Sequence, residues 1–252
     1  MAGVVRRRHV AEGGYARGEE TRARIVTAAL KLFGERGFEG ASTRDIATAA
    51  GVNAPALQYY FDNKEGVYLA CVEHIVARLS EYLSEVTELG EQALAREAGD
   101  EELIEVFCAI QARLAEFMFT AKDTADWRLF IARLQSGEGP PASFEMFAQG
   151  RLKKRLSAVT STIVGRLRGR PADDEETLIR TMTLTGQLTV FQCAPRSFLA
   201  RLNWDAVDAE RLALLKRVTR EQTEALLRWM VASREAGGQP RAVRSTSKPS
   251  KR

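Results

Sequence analysis

Histidine is almost missing from this chain: His9 and His74 are the only two in 252 residues. A zinc site or an acid–base centre built on imidazole is thereby nearly excluded. Three cysteines, Cys71, Cys108 and Cys193, are odd in number and far apart. That argues against a disulfide framework or a zinc knuckle and leaves them as small core residues. Every long apolar run is broken by Arg, Glu or Gln well short of the roughly 20 residues that a membrane helix needs, so no membrane partner is expected. No apolar stretch follows Arg6, Arg7 and Arg8, so a secretory leader is not expected and a cytoplasmic location is. Phosphate loops, paired-carboxylate motifs, metal-ligand spacings and Ser/Cys–His arrangements are also missing. An enzyme is therefore not expected, and neither a cofactor nor a metal is called for.

What is present is enough apolar material for a large core, 45% of residues, with 28% charged. The net charge of +4 is modest and sits at the ends. Residues 1–66 hold ten Lys/Arg against eight Asp/Glu, and residues 232–252 hold six against one. Residues 1–16 and 233–252 read as disordered basic segments.

Apolar residues recur at three and four almost throughout, which predicts an all-α protein. A first helix over 19–36 carries the stripe Ile25, Ala28, Ala29, Leu32, Phe33 and stops at Gly37. Ser42 or Thr43 can cap a short second helix, and Asn53 caps a third over 54–61 with Pro55 in its first turn. Asp62 or Asn63 can cap a long fourth helix running from Lys64 to about Leu89. After a polar linker, further helices are expected at about 101–119, 123–135, 141–168, 174–193 and 206–232, separated at Gly137–Pro141, Gly169–Pro171 and Ala194-Pro195. The domains read as 17–63 and 64–232.

Residues 43–61 hold two short helices joined by Ala50-Gly51-Val52, a helix-turn-helix pattern. Gly51 allows the corner, and Ile46, Ala47, Val52 and Leu57 pack the pair so that the second helix can enter a major groove. Small residues at Ala54 and Pro55, beside Asn53, let the backbone come close to double-stranded DNA. Gln58 can make two bonds to adenine, while Tyr59, Tyr60, Lys64, Thr43 and Arg44 can reach phosphate. Phe61 reads as core. Neighbouring side chains on a helix are about 100° apart, so Tyr59 and Tyr60 cannot both join it there.

Ala49-Ala50-Gly51-Val52 through Tyr59-Tyr60-Phe61-Asp62-Asn63-Lys64-Glu65 resembles the DNA-binding signature of the TetR/AcrR family. The likeness runs from Thr21 to Val72 and includes Phe33, Gly37-Phe38, Thr43 and Ile46-Ala47. It implies a TetR-like fold, with a three-helix DNA-binding domain before a helical ligand-binding and dimerisation domain. It also implies a homodimer on operator DNA and release by a small-molecule effector. In that family Thr43, Tyr59, Tyr60 and Lys64 fall at phosphate-contacting positions. Gly186-Gln187, Phe191, Leu202-Asn203-Trp204 and Arg220-Glu221-Gln222 are similar to the CerR/CecR-type C-terminal domain of one TetR subgroup, with departures at Pro195 and at Asn203, where Gly is expected.

A ligand-responsive repressor is therefore the first expectation. The alternative is a DNA-binding regulator that answers to a protein partner or acts as an activator. Trp127, Phe144, Phe147 and Phe191 are the candidate apolar walls of a ligand pocket, though a plain core would use the same residues. Arg133 and Gln187, polar on apolar helices, are candidates to meet the ligand or a backbone carbonyl. His74 reads as a satisfied core histidine. Dimerisation is expected through 174–193 and 206–232, with Leu215 and Val218 at the interface.

Overall fold

The computed structural model describes residues 12–120, 124–189, 191 and 195–237. Residues 1–11 and 238–252, which hold most of both expected disordered segments, lie outside the described residues. So do 190 and 192–194, part of the helix expected over 174–193. Eleven helices and no strand occur among the described residues. Helix α1 spans Glu12–Gly40, α2 Thr43–Ala49, α3 Ala54–Tyr60 and α4 Lys64–Ala95. Then follow α5 Asp100–Thr120, α6 Thr124–Gln135, α7 Pro141–Gln149 and α8 Arg151–Arg168. Last come α9 Glu175–Gly186, α10 Pro195–Leu202 and α11 Ala209–Glu235.

The caps are decided in favour of Ser42 and Asn63. Ser42 Oγ accepts from Asp45 N at 3.1 Å, and Asp45 returns the contact to Ser42 in a capping box that holds its carboxyl below the usual range. Asn53 and Asn63 accept from Ala56 N and Gly66 N at 2.8 Å each. In α1 the helix breaks at Gly37, whose φ of 74° an L side chain rarely adopts. This helix also starts at Glu12, seven residues before the expected start.

Two large cores and a small third cluster of Ala115, Met118, Leu188 and Leu212 hold the molecule. One large core joins α1, α2, α3, the start of α4, and α6, with Phe33, Tyr68 and Phe130 at its centre. Their rings lie 5.0 Å (Phe33–Tyr68) and 4.7 Å (Tyr68–Phe130) apart. The other joins Leu83 and Val86 of α4 to α5, α8, α9 and α11. Helix α4, 32 residues and so roughly 48 Å long, belongs to both. Its Gly90 packs against α8 so closely that a Cβ would lie 2.5 Å from Val159 Cγ1.

Three more expected boundaries move. The helix expected over 141–168 is two, α7 and α8, because the backbone opens at Gly150 (φ −55°, ψ 146°), where a Cβ would crowd Met146 O. Helix α4 continues past Leu89 into the expected linker. Pro195, read as a break, starts α10, since proline lacks only an N–H that the first turn does not use. Asn203 then ends α10 at φ 55°, a left-handed conformation that Asn tolerates better than most residues, so the turn survives without the glycine of the resemblance.

Candidate functional site

The helix-turn-helix stands at one end of the first core. Gly51 has φ 66° in the turn, and Val52 N bonds back to Ala47 O at 2.9 Å. Ile46, Ala47, Leu57 and Phe61 are buried and fix α3 across α2. That burial turns the other face of α3 outward. Asn53, Ala54, Pro55, Gln58 and Tyr59 are all exposed, with Tyr59 84% exposed. Tyr60 is half-buried, edge-on to Tyr59 at 5.2 Å.

Of the remaining DNA candidates, Thr43 opens α2, and Arg44 beside it is exposed and forms no ion pair among the described residues. Lys64 has its ammonium 4.4 Å from the centre of the Phe38 ring and 3.9 Å from Glu39. These contacts steer a long side chain at the exit of α3. All nine DNA candidates thus lie on or beside α2 and α3, and Asn53 has a second task as the N-cap.

Behind this headpiece, a cavity of about 420 Å³ lies among α4, α5, α6, α7, α8 and α9. Leu79, Phe117, Trp127, Ile131, Phe147 and Leu156 supply apolar wall. Met182 of α9, 71% exposed, stands at its rim. Two of the six expected ligand residues, Trp127 and Phe147, are in that wall. The other four lie elsewhere. Phe144 is 48% exposed. Phe191 packs edge-on to Phe198 at 5.1 Å. Gln187 follows α9 with a buried Oε1 that has no protein partner. Arg133 points to the headpiece, donating from Nε to Gly34 O at 2.9 Å, from Nη2 to Glu35 O at 3.3 Å and from Nη1 to Glu138 Oε2 at 2.7 Å.

Helical geometry explains this division of α6. Arg128, Ile131 and Gln135 fall within about 100° of Trp127 around the axis, whereas Arg133 falls about 120° to the other side. The cavity therefore takes Trp127, Arg128, Ile131 and Gln135, and the end of α1 takes Arg133. Tyr68 Oη reinforces the junction by donating to Glu138 O at 3.1 Å, and burial pushes its hydroxyl above the usual tyrosine range. His74 meets Trp127 edge-on at 5.5 Å.

Sequence reasoning missed two cations on the wall, Arg128 and Lys153. Burial lowers the pKa of both. The available signal was position, one residue after Trp127 for Arg128 and six residues after Phe147, across the break at Gly150, for Lys153.

The N-terminal part, residues 25–71, matches the family model of bacterial regulatory proteins of the tetR family. Residues 103–230 match that of the C-terminal domain of the HTH-type transcriptional dual regulator CecR. The chain belongs to the TetR family of transcriptional regulators. Over 199 residues this TetR-family chain is 31% identical to the HTH-type transcriptional dual regulator CecR of Shigella flexneri, covering 79% of its own length and 87% of that protein. Solved structures share the fold. The fatty acid degradation regulator FadR from Bacillus halodurans superposes with a TM-score of 0.55 at 16% identity, covering 82% of this chain and 96% of that one. A TetR-family regulator from Bordetella parapertussis 12822 gives 0.54 at 21%, covering 83% and 94%. The TetR-family regulator described here is thus a DNA-binding transcription factor rather than an enzyme, and no helix among its described residues is long and apolar enough to cross a membrane.

Proposed function

We propose that this regulator binds operator DNA as a homodimer, represses transcription there, and releases the DNA when a small-molecule effector fills the cavity. In this reading residues 17–63 contact DNA and residues 64–232 bind effector and partner copy. Gln58 reads base edges; Thr43, Arg44, Tyr59, Tyr60 and Lys64 hold phosphate; and Asn53, Ala54 and Pro55 let the backbone approach. The site of action is the cytoplasm, where the operator is.

The observation that carries the effector part is the double use of α6. One face walls a cavity whose volume falls in the usual range of about 300–1,000 Å³ for small-molecule sites, and another holds the end of α1 through Arg133. A ligand that shifts α6 or α4 therefore changes the set of the headpiece and the spacing of two recognition helices.

Dimerisation is supported by large apolar side chains left exposed on two helices. Leu178, Ile179 and Met182 on α9, and Val218, Leu226 and Trp229 on α11, are each exposed, with Arg180 of α9 over the Trp229 ring at 5.0 Å. Leu215, in contrast, is buried within the chain's own core at 7% exposure, while Val218 is at 38%. The test is sedimentation equilibrium with a gel-shift assay on the protein's own upstream DNA. The wild type is expected at twice 27.9 kDa, and Val218→Asp as a folded monomer with weakened DNA binding. A dimeric Val218→Asp protein that binds DNA normally contradicts this interface.

A second reading, activation, has one observation in its favour, the description of the Shigella relative as a dual regulator. A promoter fusion with and without the regulator separates the two by the sign of the change.

A further inference from the structure

Several cations of the C-terminal part meet a carboxylate. Arg168 pairs with Asp174 at 3.0 Å and Glu176 at 2.7 Å, Arg155 with Glu91 at 2.7 Å, and Arg234 with Asp100 at 2.6 Å. On the cavity wall, half-buried Arg128 and the exposed Lys153 do not. Arg128 Nη1 donates to the carbonyl of Met118 at 2.9 Å, and its guanidinium stands 5.5 Å from the Phe119 ring. The ammonium of Lys153 stands 5.0 Å from the Phe147 ring. Neither forms an ion pair with a carboxylate among the described residues.

We infer that the cavity takes an amphipathic molecule with an anionic head, its apolar body against Leu79, Phe117, Ile131 and Phe147 and its head on Arg128 and Lys153. This rests on the cavity being the effector site, as proposed above, and names the chemistry of the effector.

The physical case starts from the cost of holding half-buried Arg128 against an apolar wall, which its bond to Met118 O and the Phe119 ring offset in part and an anion would offset further. Burial lowers both pKa values, the direction expected of cations beside apolar surface with no anion next to them, and Lys153 still keeps an exposed face. After the bond to Met118, the guanidinium still has N–H donors, and the ammonium has three. Such a pair suits a carboxylate or a phosphate head. A neutral apolar molecule would fill the walls and leave the cations as they are; a cationic one would be repelled.

The experiment measures binding by calorimetry and thermal shift, below the aggregation concentration of each probe. The probes are octanoate, decanoate, decyl phosphate, decanamide and decyltrimethylammonium. Decanoate or decyl phosphate is expected to bind at least about 10-fold tighter than decanamide, and decyltrimethylammonium more weakly still. Lengthening octanoate to decanoate should tighten binding about 4-fold per methylene. Which anion binds better identifies the head. Arg128→Met and Lys153→Met should each lose the preference for the anion while binding decanamide as before, and Arg128→Lys should restore part of it. Unliganded melting and DNA binding of these variants establish that they fold. Equal binding of decanoate and decanamide, or Met variants that keep the preference, would overturn the anionic head and leave the cavity as an effector site. If none of the probes binds, the effector reading fails with it.

Discussion

Replacing Arg133 with Met tests the junction between cavity and headpiece. The substitution keeps an unbranched stem of similar reach and removes all three hydrogen bonds to Gly34 O, Glu35 O and Glu138. Gly34 and Glu35 lie in the last turn of α1 before the break at Gly37, where helix carbonyls lack partners and a cation also meets the negative end of the helix dipole. A hydrogen bond from a charged donor contributes about 1.5–3 kcal/mol. The Arg133 side chain is 34% exposed, so water takes back part of each bond. A total loss of about 2 kcal/mol follows, a fall of about 4–8 °C in Tm for a chain of this size. The exposed ion pair with Glu138 carries little of this, so Glu138→Gln should stay within about 0.5 kcal/mol of the wild type. Scanning calorimetry on the three proteins measures these values. A Met variant as stable as the wild type, or a Gln variant that loses as much as the Met variant, refutes the account of α6 as the clamp on α1.

Gly37→Ala forces a side chain into φ 74° and sets a Cβ 3.1 Å from Glu138 Oε2, so chemical denaturation should give a loss of about 1–2 kcal/mol. Gly99→Ala, which meets nothing within 4 Å, should change stability by less than about 1 kcal/mol in the same assay. Leu215→Asp should fail to fold, as judged by circular dichroism, where Val218→Asp folds, because only the first puts a charge inside the chain's own core. Glu91, hydrogen-bonded by Arg155, Glu176, hydrogen-bonded by Arg180, and Asp174, which accepts from Thr177 N and then from Arg168, all have pKa values held below the ordinary 4.5 or 3.8. Their folded values lie below the unfolded ones, so what they add to stability is whole above about pH 5 and is lost as pH falls through 4.5 and lower. Melting followed from pH 7 to pH 3 should decline over that span, and Asp174→Asn should decline less.

The helix-turn-helix was legible because its determinants are local. Caps at Ser42, Asn53 and Asn63, a positive φ at Gly51 and the inward set Ile46, Ala47, Leu57 and Phe61 all act within a few residues of one another. The cavity was half legible. Trp127 and Phe147 follow from apolar periodicity, but Arg133 was set beside them because it is polar on the same helix, without regard to its angle around the axis. Arg128 and Lys153 escaped because charged residues on a helix usually face water, and only the tertiary fold brings these two to one wall. In α11 Leu215 and Val218 were placed on one interface, although the helix serves two surfaces. Leu212, Leu215 and Leu227 pack inward, while Val218, Leu226 and Trp229 face out. Gly150 and Pro195 punctuate the chain in senses that sequence leaves open, since glycine permits a break and proline permits a start.

The most direct test of a DNA-binding regulator that reads sequence through α3 is a salt series. Binding to the protein's own upstream DNA and to random DNA would be measured for the wild type, Lys64→Ala and Gln58→Ala. The account predicts tight, salt-sensitive and selective binding by the wild type. Lys64→Ala should lower the salt slope by about 2 for a dimer with two such lysines, and Gln58→Ala should keep the slope but lose about 1–3 kcal/mol of discrimination per half-site. Weak binding of equal strength to both DNAs, unchanged by either substitution, would contradict it.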